Sequence, residues 1–410
     1  MTSTPKGLRT HIGIFGRRNA GKSTLINALT GQTVSIVSEQ PGTTTDPVEK
    51  AFELAPLGPV LFIDTAGFDD VGALGEQRVK KTRELLERVD LGVIVVGEAG
   101  WGSFEQELID ALRATQTPCV VVFNKSDLTP SPAVPCALLQ ADDLEIVTLS
   151  ALRAEGLDRL REALLRQSPD ACIDEPRLVG DLIGPGDLVV LVVPLDLGAP
   201  KGRLILPQVQ TLRDILDSNA NSLLVKDKEL ANMLARLGEK PKLVVCDSQV
   251  VHQVAALTPP DIPLTTFSIL MARFKGDMIG LAAGAGAIAR LKPGDRVLIA
   301  EACAHHPQAD DIGRVKIPRW LRQHVGGELA INVHSGKDFP DDLSPYALIV
   351  QCGGCTVTRK HILARQYRAA RQGVPMTNYG MAISVSQGVI DRALQAFPAA
   401  LTAYRNAVET

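Results

Sequence analysis

Short apolar runs alternate with amphipathic stretches along residues 1–170. Ile12–Phe15, Leu61–Ile63, Gly92–Val96 and Val120–Phe123 are almost unbroken apolar segments. Parallel strands covered by helices on both faces read this way, whereas a strand with one wet face alternates. Between them, Gly75–Val89 and Phe104–Thr115 carry apolar residues at helical spacing. The succession predicts a doubly wound, mainly parallel α/β domain over residues 1–170. Ser168-Pro169 and Asp174-Glu175-Pro176 then predict a linker.

The alternation resumes over residues 177–263. Strands are expected at Leu188–Val193, Ser222–Val225 and Lys242–Cys246, with helices at Gln208–Ser218 and near Lys228–Leu237. This small α/β block holds no cluster of acid, base or nucleophile, so a structural or oligomerisation role is expected. A third α/β block covers residues 265–410. Phe267–Phe274 and Met278–Leu291 read as helices, Arg296–Ala300, Leu329–Val333 and Ala347–Val350 as strands, and Thr358–Gln372 as a helix. Pro318–Val325 reads as helix or loop. The expected fold class is therefore α/β in three domains.

Composition narrows the class. The chain has 410 residues, is 45% hydrophobic and 22% charged, and carries a net charge of −3, as ordinary soluble globular proteins do. It shows no basic block interleaved with aromatics, which counts against nucleic acid as a partner. No apolar run reaches the roughly 18 residues of a transmembrane helix. Met1–Arg9 lacks the apolar stretch of a signal peptide, and a cytoplasmic chain is expected. Seven cysteines, an odd number, then fit metal binding better than a disulfide framework. Cys119 and Cys246 lie within strand-like runs and read as core residues.

Gly16-Arg17-Arg18-Asn19-Ala20-Gly21-Lys22-Ser23 is a complete GxxxxGK[ST] loop between the strand Ile12–Phe15 and the helix pattern Thr24–Leu29. Backbone N–H groups of Gly16, Asn19, Ala20, Gly21 and Thr24 would cradle phosphates at a helix N-terminus. Lys22 would bridge the β and γ phosphates, and Ser23 would ligate magnesium. Asp64-Thr65-Ala66-Gly67 ends the next strand: Asp64 would hold magnesium through water, and the Gly67 N–H would sense the γ-phosphate. Within Pro41–Asp46, Thr44 aligns best as the switch ligand to magnesium, with Thr43 and Thr45 as alternatives. Asn124-Lys125-Ser126-Asp127 is an NKxD motif, and Ser150-Ala151-Leu152 a base-contacting loop. Asp127 can accept from the N1–H and 2-amino groups of guanine, which adenine does not offer. The expected activity is hydrolysis of GTP to GDP and phosphate. Arg17 and Arg18 read as solvated loop charges rather than catalytic arginines.

Three further cysteines follow apolar strands. Cys303 lies in Glu301-Ala302-Cys303-Ala304-His305-His306, and Cys352 and Cys355 in Gln351-Cys352-Gly353-Gly354-Cys355. A CxxC lets two thiolates reach one metal or cluster, and Cys303 adds a third at another strand end. His305 could complete a Cys3His zinc site; alternatively three thiolates hold three irons of a 4Fe–4S cluster. A reversible Cys352–Cys355 disulfide in a thiol oxidoreductase is a third reading.

Over residues 10–168 the motifs resemble the TrmE/Era group of GTPases. In that group a loop asparagine, here Asn19, helps hold potassium beside the phosphates. Phe68 stands where Ras-like proteins carry a water-orienting glutamine. The whole pattern is similar to the HydF family of iron–iron hydrogenase maturation GTPases: a GTP domain, a middle block, then C-x-H and CxxC. That resemblance implies a dimerising middle domain and a third domain binding a 4Fe–4S cluster through Cys303, Cys352 and Cys355, with His305 in the C-x-H. It implies a homodimeric scaffold or carrier. Its partners would be two radical-SAM maturases and apo iron–iron hydrogenase, to which it delivers a two-iron precursor. Gln351 departs from the histidine common in the family before the CxxC, leaving the fourth ligand to His305, an acidic residue or an exogenous group. The alternative is a TrmE/Era-like GTPase with a structural zinc site acting in RNA modification or ribosome assembly.

Overall fold

The computed structural model describes residues 4–31, 48–54, 57–64, 85–129, 134–135, 138, 144–168, 177–194, 204–302, 311–336 and 338–409. It divides into two compact units, Met1–Glu175 and Pro176–Thr410.

The first unit is built on one sheet. Its elements are β1 (Thr10–Phe15), α1 (Lys22–Thr30), β2 (Val48–Leu54), β3 (Gly58–Asp64), β4 (Leu91–Val96), α2 (Ser103–Ala114), β5 (Cys119–Phe123), β6 (Leu144–Thr148) and α3 (Leu157–Gln167). The order is β2-β3-β1-β4-β5-β6, parallel except where β2 runs antiparallel to β3. The apolar runs are continuous because both faces are covered. Ile12, Ile14, Val93, Val95, Val120 and Val122 pack into one core, and Phe15, Ile94, Val96, Val121 and Phe123 into another on the opposite face. Successive residues thus serve different cores while all are apolar. Cys119 in β5 is a buried core residue, as the sequence predicts. The strand β2 carries no such signal: it is the sheet's edge, and Glu49, Lys50 and Glu53 interrupt its apolar residues. The expected helix Gly75–Val89 lies, as far as residue 84, outside the described residues.

The second unit contains two four-stranded sheets. The first uses β7 (Leu188–Val192), α4 (Leu206–Asp217), β8 (Asn221–Val225), α5 (Leu230–Arg236), β9 (Leu243–Cys246), α6 (Val251–Leu257) and β10 (Leu264–Thr266). Its order is β10-β9-β7-β8, all parallel. Full burial pushes the Cys246 thiol up, consistent with a core role. Next come α7 (Phe267–Lys275), α8 (Met278–Gly286), β11 (Arg296–Glu301), α9 (Ile317–Val325), β12 (Ala330–Ser335), β13 (Leu348–Gln351), α10 (Arg359–Arg371), β14 (Met376–Asn378), α11 (Tyr379–Ser386), α12 (Ile390–Ala393) and α13 (Pro398–Glu409). The strands β12-β11-β13-β14 form the second parallel sheet. Among the described residues no helix is long and apolar enough to cross a membrane.

The helix expected over Met278–Leu291 ends at Gly286 and continues as a 3-10 turn, Ala287–Arg290. Its Gly-Ala-Gly content permits close approach. A Cβ on Gly284 would lie 2.0 Å from the Met376 carbonyl oxygen of β14, and one on Gly286 2.7 Å from Ala407 Cβ of α13. The first obstacle is backbone, which cannot swing aside. Gly284→Ala is therefore expected to destabilise the second unit by about 3 kcal/mol, the upper end of overpacking. A thermal melt shows it as a lowered transition; an unchanged midpoint would contradict this packing.

Candidate functional site

The P-loop follows β1 in a backbone path that demands its glycines. Gly16 has φ 145° and Gly21 φ 93°, and a Cβ on either would lie 2.3 Å from a neighbour, Val95 O and Asn124 Nδ2 respectively. Asn19 sits in the left-handed region at φ 63° without being glycine, a conformation asparagine tolerates better than most residues. Ala20 and Lys22 are buried, and Thr24 lies exposed in the first turn of α1. The Lys22 ammonium donates to the Gly16 carbonyl at 2.5 Å and the Arg17 carbonyl at 2.9 Å, which holds it over the loop.

Ser23 Oγ donates to Asp64 Oδ2 at 3.0 Å. Asp64, at the end of β3, is buried, and its Oδ1 has no hydrogen-bond partner among the described residues. A buried carboxylate oxygen left open beside a serine hydroxyl fits a hard, oxygen-seeking cation such as magnesium. Thr44 and Gly67 lie outside the described residues.

The base side is organised by Asn124. Its Nδ2 donates to Ala20 O at 2.9 Å, and its Oδ1 accepts from Ala151 N at 3.0 Å, so one amide joins the P-loop to the base-contacting loop. Buried Ser150 donates to Asp127 Oδ1 at 2.6 Å and accepts from Arg153 N at 3.2 Å. The Ser150 hydroxyl, with help from the Arg153 and Lys125 charges, holds the Asp127 carboxyl below the usual carboxylate range. Asp127 is thereby kept as an acceptor. Lys125, at φ 65°, pairs with Glu98 at 2.5 Å.

Arg17 is a partly exposed loop charge that is also paired. It pairs at 2.8 Å with Glu105, which is 1% exposed and also accepts from the Gly102 N–H at the start of α2. A buried carboxylate needs such partners, and the pair ties the P-loop to α2.

In the second unit, β11 and β13 are adjacent and parallel, with Ala300 opposite Gln351. Their ends meet beyond the sheet: Cys352 N donates to Ala300 O at 2.9 Å, and Ala302 N to Cys352 Sγ at 3.1 Å. Cys352 and Cys355 are thiols outside any disulfide and of intermediate exposure. Gly354, at φ 64°, makes the turn between them, and a Cβ on Gly353 would lie 3.7 Å from Cys355 Sγ. Cys303 and His305 lie outside the described residues, among which no group of three His, Cys, Asp or Glu side chains is placed to hold a metal. The two thiols, set on a glycine turn with an N–H directed at one sulfur, match the soft donor set of an iron–sulfur or zinc centre rather than a hard cation.

A buried polar shell surrounds Cys352. Gln351, 1% exposed, donates from Nε2 to Cys352 Sγ at 3.4 Å and accepts from Arg365 at 3.0 Å. Glu301 is buried and accepts from Arg314 at 2.8 Å and from Ser335 at 2.6 Å, so the acidic residue closest in sequence to Cys303 is already engaged. Arg314 belongs to a π turn, Ile312–Lys316. The Tyr379 hydroxyl is buried without a partner among the described residues; burial foremost, then the nearby Cys352 and Glu301 charges, pushes this phenol well up. Sequence reading missed Glu301, Arg314 and Arg365. Glu301 carried a usable sign, a charge closing an apolar strand directly before the cysteine segment. Arg365 carried none, being one of several basic residues on α10.

Comparison with known families accounts for all three blocks. Residues 11–125 match the 50S ribosome-binding GTPase model, 178–276 the hydrogen maturase F dimerization domain, and 279–396 the hydrogen maturase F tetramerization domain. GTPase Era of Rippkaea orientalis is 32% identical over 199 residues, 44% of this chain and 62% of that protein. The tRNA modification GTPase MnmE of a Synechococcus strain is 35% identical over 158 residues, 37% of this chain and 32% of that protein. The chain thus spans less than two thirds of these curated relatives. A crystal structure of a point variant of Aquifex aeolicus Era, bound to GDP and aluminium fluoride, aligns at 24% identity over 53% of this chain and 92% of that one, with a TM-score of 0.33. The first unit carries a GTPase domain, and the second unit carries domains of oligomerisation. With two hydrogen maturase F models running almost end to end from residue 178 to 396 behind that GTPase domain, the chain belongs to the hydrogen maturase F family.

Proposed function

We propose that this chain is a GTP-hydrolysing iron–sulfur scaffold or carrier, which assembles or delivers the two-iron precursor for apo iron–iron hydrogenase. The observation that carries the reading is the hydrogen bond from the Ala302 N–H, at the end of one strand, to Cys352 Sγ at the end of its neighbour, in a chain of this family. The zinc and RNA reading draws on relatives that match the GTPase domain, and leaves the two hydrogen maturase F domains without a role.

The division of labour is GTP hydrolysis in residues 1–170, dimerisation in 177–263 and cluster binding in 265–410. Cys303, Cys352 and Cys355 would hold a 4Fe–4S cluster, with His305 as a fourth donor. When bound, such a cluster supplies an iron to which a departing cargo can attach. The partners follow from the family: two radical-SAM maturases that supply the precursor, and the apo-hydrogenase that receives it.

On the GTPase side, Lys22 and the P-loop amides hold the β and γ phosphates, and Ser23 and Thr44 hold magnesium with Asp64 behind it. The Gly67 N–H meets the γ-phosphate, and Lys125 covers the base. Phe68 has no hydrogen-bonding group to orient water. Asn19 would hold potassium, whose charge stands in for an arginine finger. Arg17 does not supply that charge, because Glu105 engages it.

Four outcomes test this. Asp127→Asn loses two charge-assisted hydrogen bonds to guanine, at about 1.5–3 kcal/mol each, so GTP affinity should fall at least about a hundredfold. The new amide should bind xanthosine triphosphate instead, because its NH2 can donate to the 2-oxo group; equal GTP binding by both proteins would refute the base assignment. Lys22→Ala should reduce GTP turnover by about a hundredfold or more with iron and sulfide content unchanged after anaerobic reconstitution. Cys352→Ala should do the reverse, and a colourless wild type with bound zinc would reject the cluster. Turnover should be faster in potassium than in sodium at equal ionic strength; equal rates would remove potassium from the mechanism.

A further inference from the structure

Gln351 stands where a metal-ligating side chain would be looked for, and its surroundings give it another task. A carboxamide has one oxygen that accepts and one nitrogen that donates. Arg365 can only donate, and its Nη1 lies 3.0 Å from Gln351 Oε1. That contact fixes which end of the amide is which, a choice geometry alone leaves open. The nitrogen therefore faces Cys352 Sγ at 3.4 Å. Arg365 is itself immobilised: it is 3% exposed, donates to Gly336 O at 2.6 Å and to Glu301 O at 3.4 Å, and stacks 4.8 Å from the Phe339 ring centre. The Ala302 N–H reaches the same sulfur at 3.1 Å. One thiol thus receives two N–H groups, one from backbone and one from a side chain held in place by a buried guanidinium.

We propose that Gln351 is a positioning residue that donates an N–H to the Cys352 sulfur and thereby raises the reduction potential of the bound cluster, without ligating iron. The inference rests on the cluster reading above. An N–H directed at a ligand sulfur draws charge from it and favours the reduced, more negative state. Arg365 acts through Gln351 by holding the amide in this orientation.

The test compares the full-length wild type, Gln351→Leu and Gln351→Glu, each reconstituted anaerobically with iron and sulfide. Glutamate keeps the length and the acceptor for Arg365 but turns a charged oxygen toward the sulfur. Leucine removes the donor without adding charge, and gives a second reading where the glutamate variant folds poorly. Iron and sulfide content should match wild type in both variants. The midpoint potential, followed by the electron paramagnetic resonance of the reduced cluster, should shift negative in Gln351→Leu and further in Gln351→Glu. A full cluster with an unchanged midpoint in both variants would overturn the donor role alone. Loss of iron from Gln351→Leu with a normal thermal melt, whether or not Gln351→Glu retains it, would point to Gln351 as a ligand and overturn it too. A wild type that takes up no iron or sulfide would overturn the cluster reading and this inference together.

Discussion

Burial of the parallel strands on both faces decides where this chain can do chemistry. In β1, β4, β5 and β13 every residue is buried, and in β11 all but the first. Apolar packing on both sides leaves no place within the strands for a phosphate, a magnesium ion or an anionic sulfur. Polar function is displaced to the segments just beyond the carboxyl ends, where ligands gather in open α/β sheets. The P-loop after β1, Asp64 closing β3, Asn124 after β5 and Cys352 after β13 all obey this rule. The two sites differ in chemistry and share an architectural cause.

Strand ends place residues near one another, and buried polar side chains then set their orientation. In the GTPase domain Asn124 does this by joining Ala20 to Ala151 through both ends of one amide. Beside the thiols Gln351 does the equivalent between Arg365 and Cys352. Each amide has its oxygen and nitrogen committed to different partners, so neither can flip without losing both contacts. Low local dielectric strengthens such bonds and raises the cost of leaving one unmade. These buried amides tie together loops that lie just beyond the strand ends.

Much of this was legible from residue order, for physical reasons that differ by element. The central strands of the GTPase sheet announce themselves because both faces are covered, and the P-loop because few residues other than glycine fit the paths of Gly16 and Gly21. The edge strand β2 and the three-residue strands β10 and β14 are too broken by charge, or too short, to show a period. The Met278–Leu291 segment looked like one helix because its alanines favour helix, whereas the crowding of Gly284 and Gly286 against β14 and α13 exists only once those elements pack. The thiols were visible by residue type alone. Their polar shell was not, since Glu301, Arg314, Ser335 and Arg365 come from four separate segments and meet only through the β12-β11-β13 pairing.

That shell also bears on charge. Glu301 is buried and paired with Arg314, so its negative charge is balanced before any sulfur is considered. Arg365 then adds a buried positive charge behind Gln351, whose oxygen it holds together with the Gly336 and Glu301 carbonyls. A buried charge is costly unless an opposite one lies close by. The Cys352 sulfur lies one side chain away, on the far side of the Gln351 amide from Arg365. The same arrangement makes an acid donor from Glu301 unfavourable, because freeing its oxygens would break its contacts with both Arg314 and Ser335. Hence the shell holds the Glu301 carboxylate in its own hydrogen bonds, and offers the Cys352 sulfur positive potential and N–H groups.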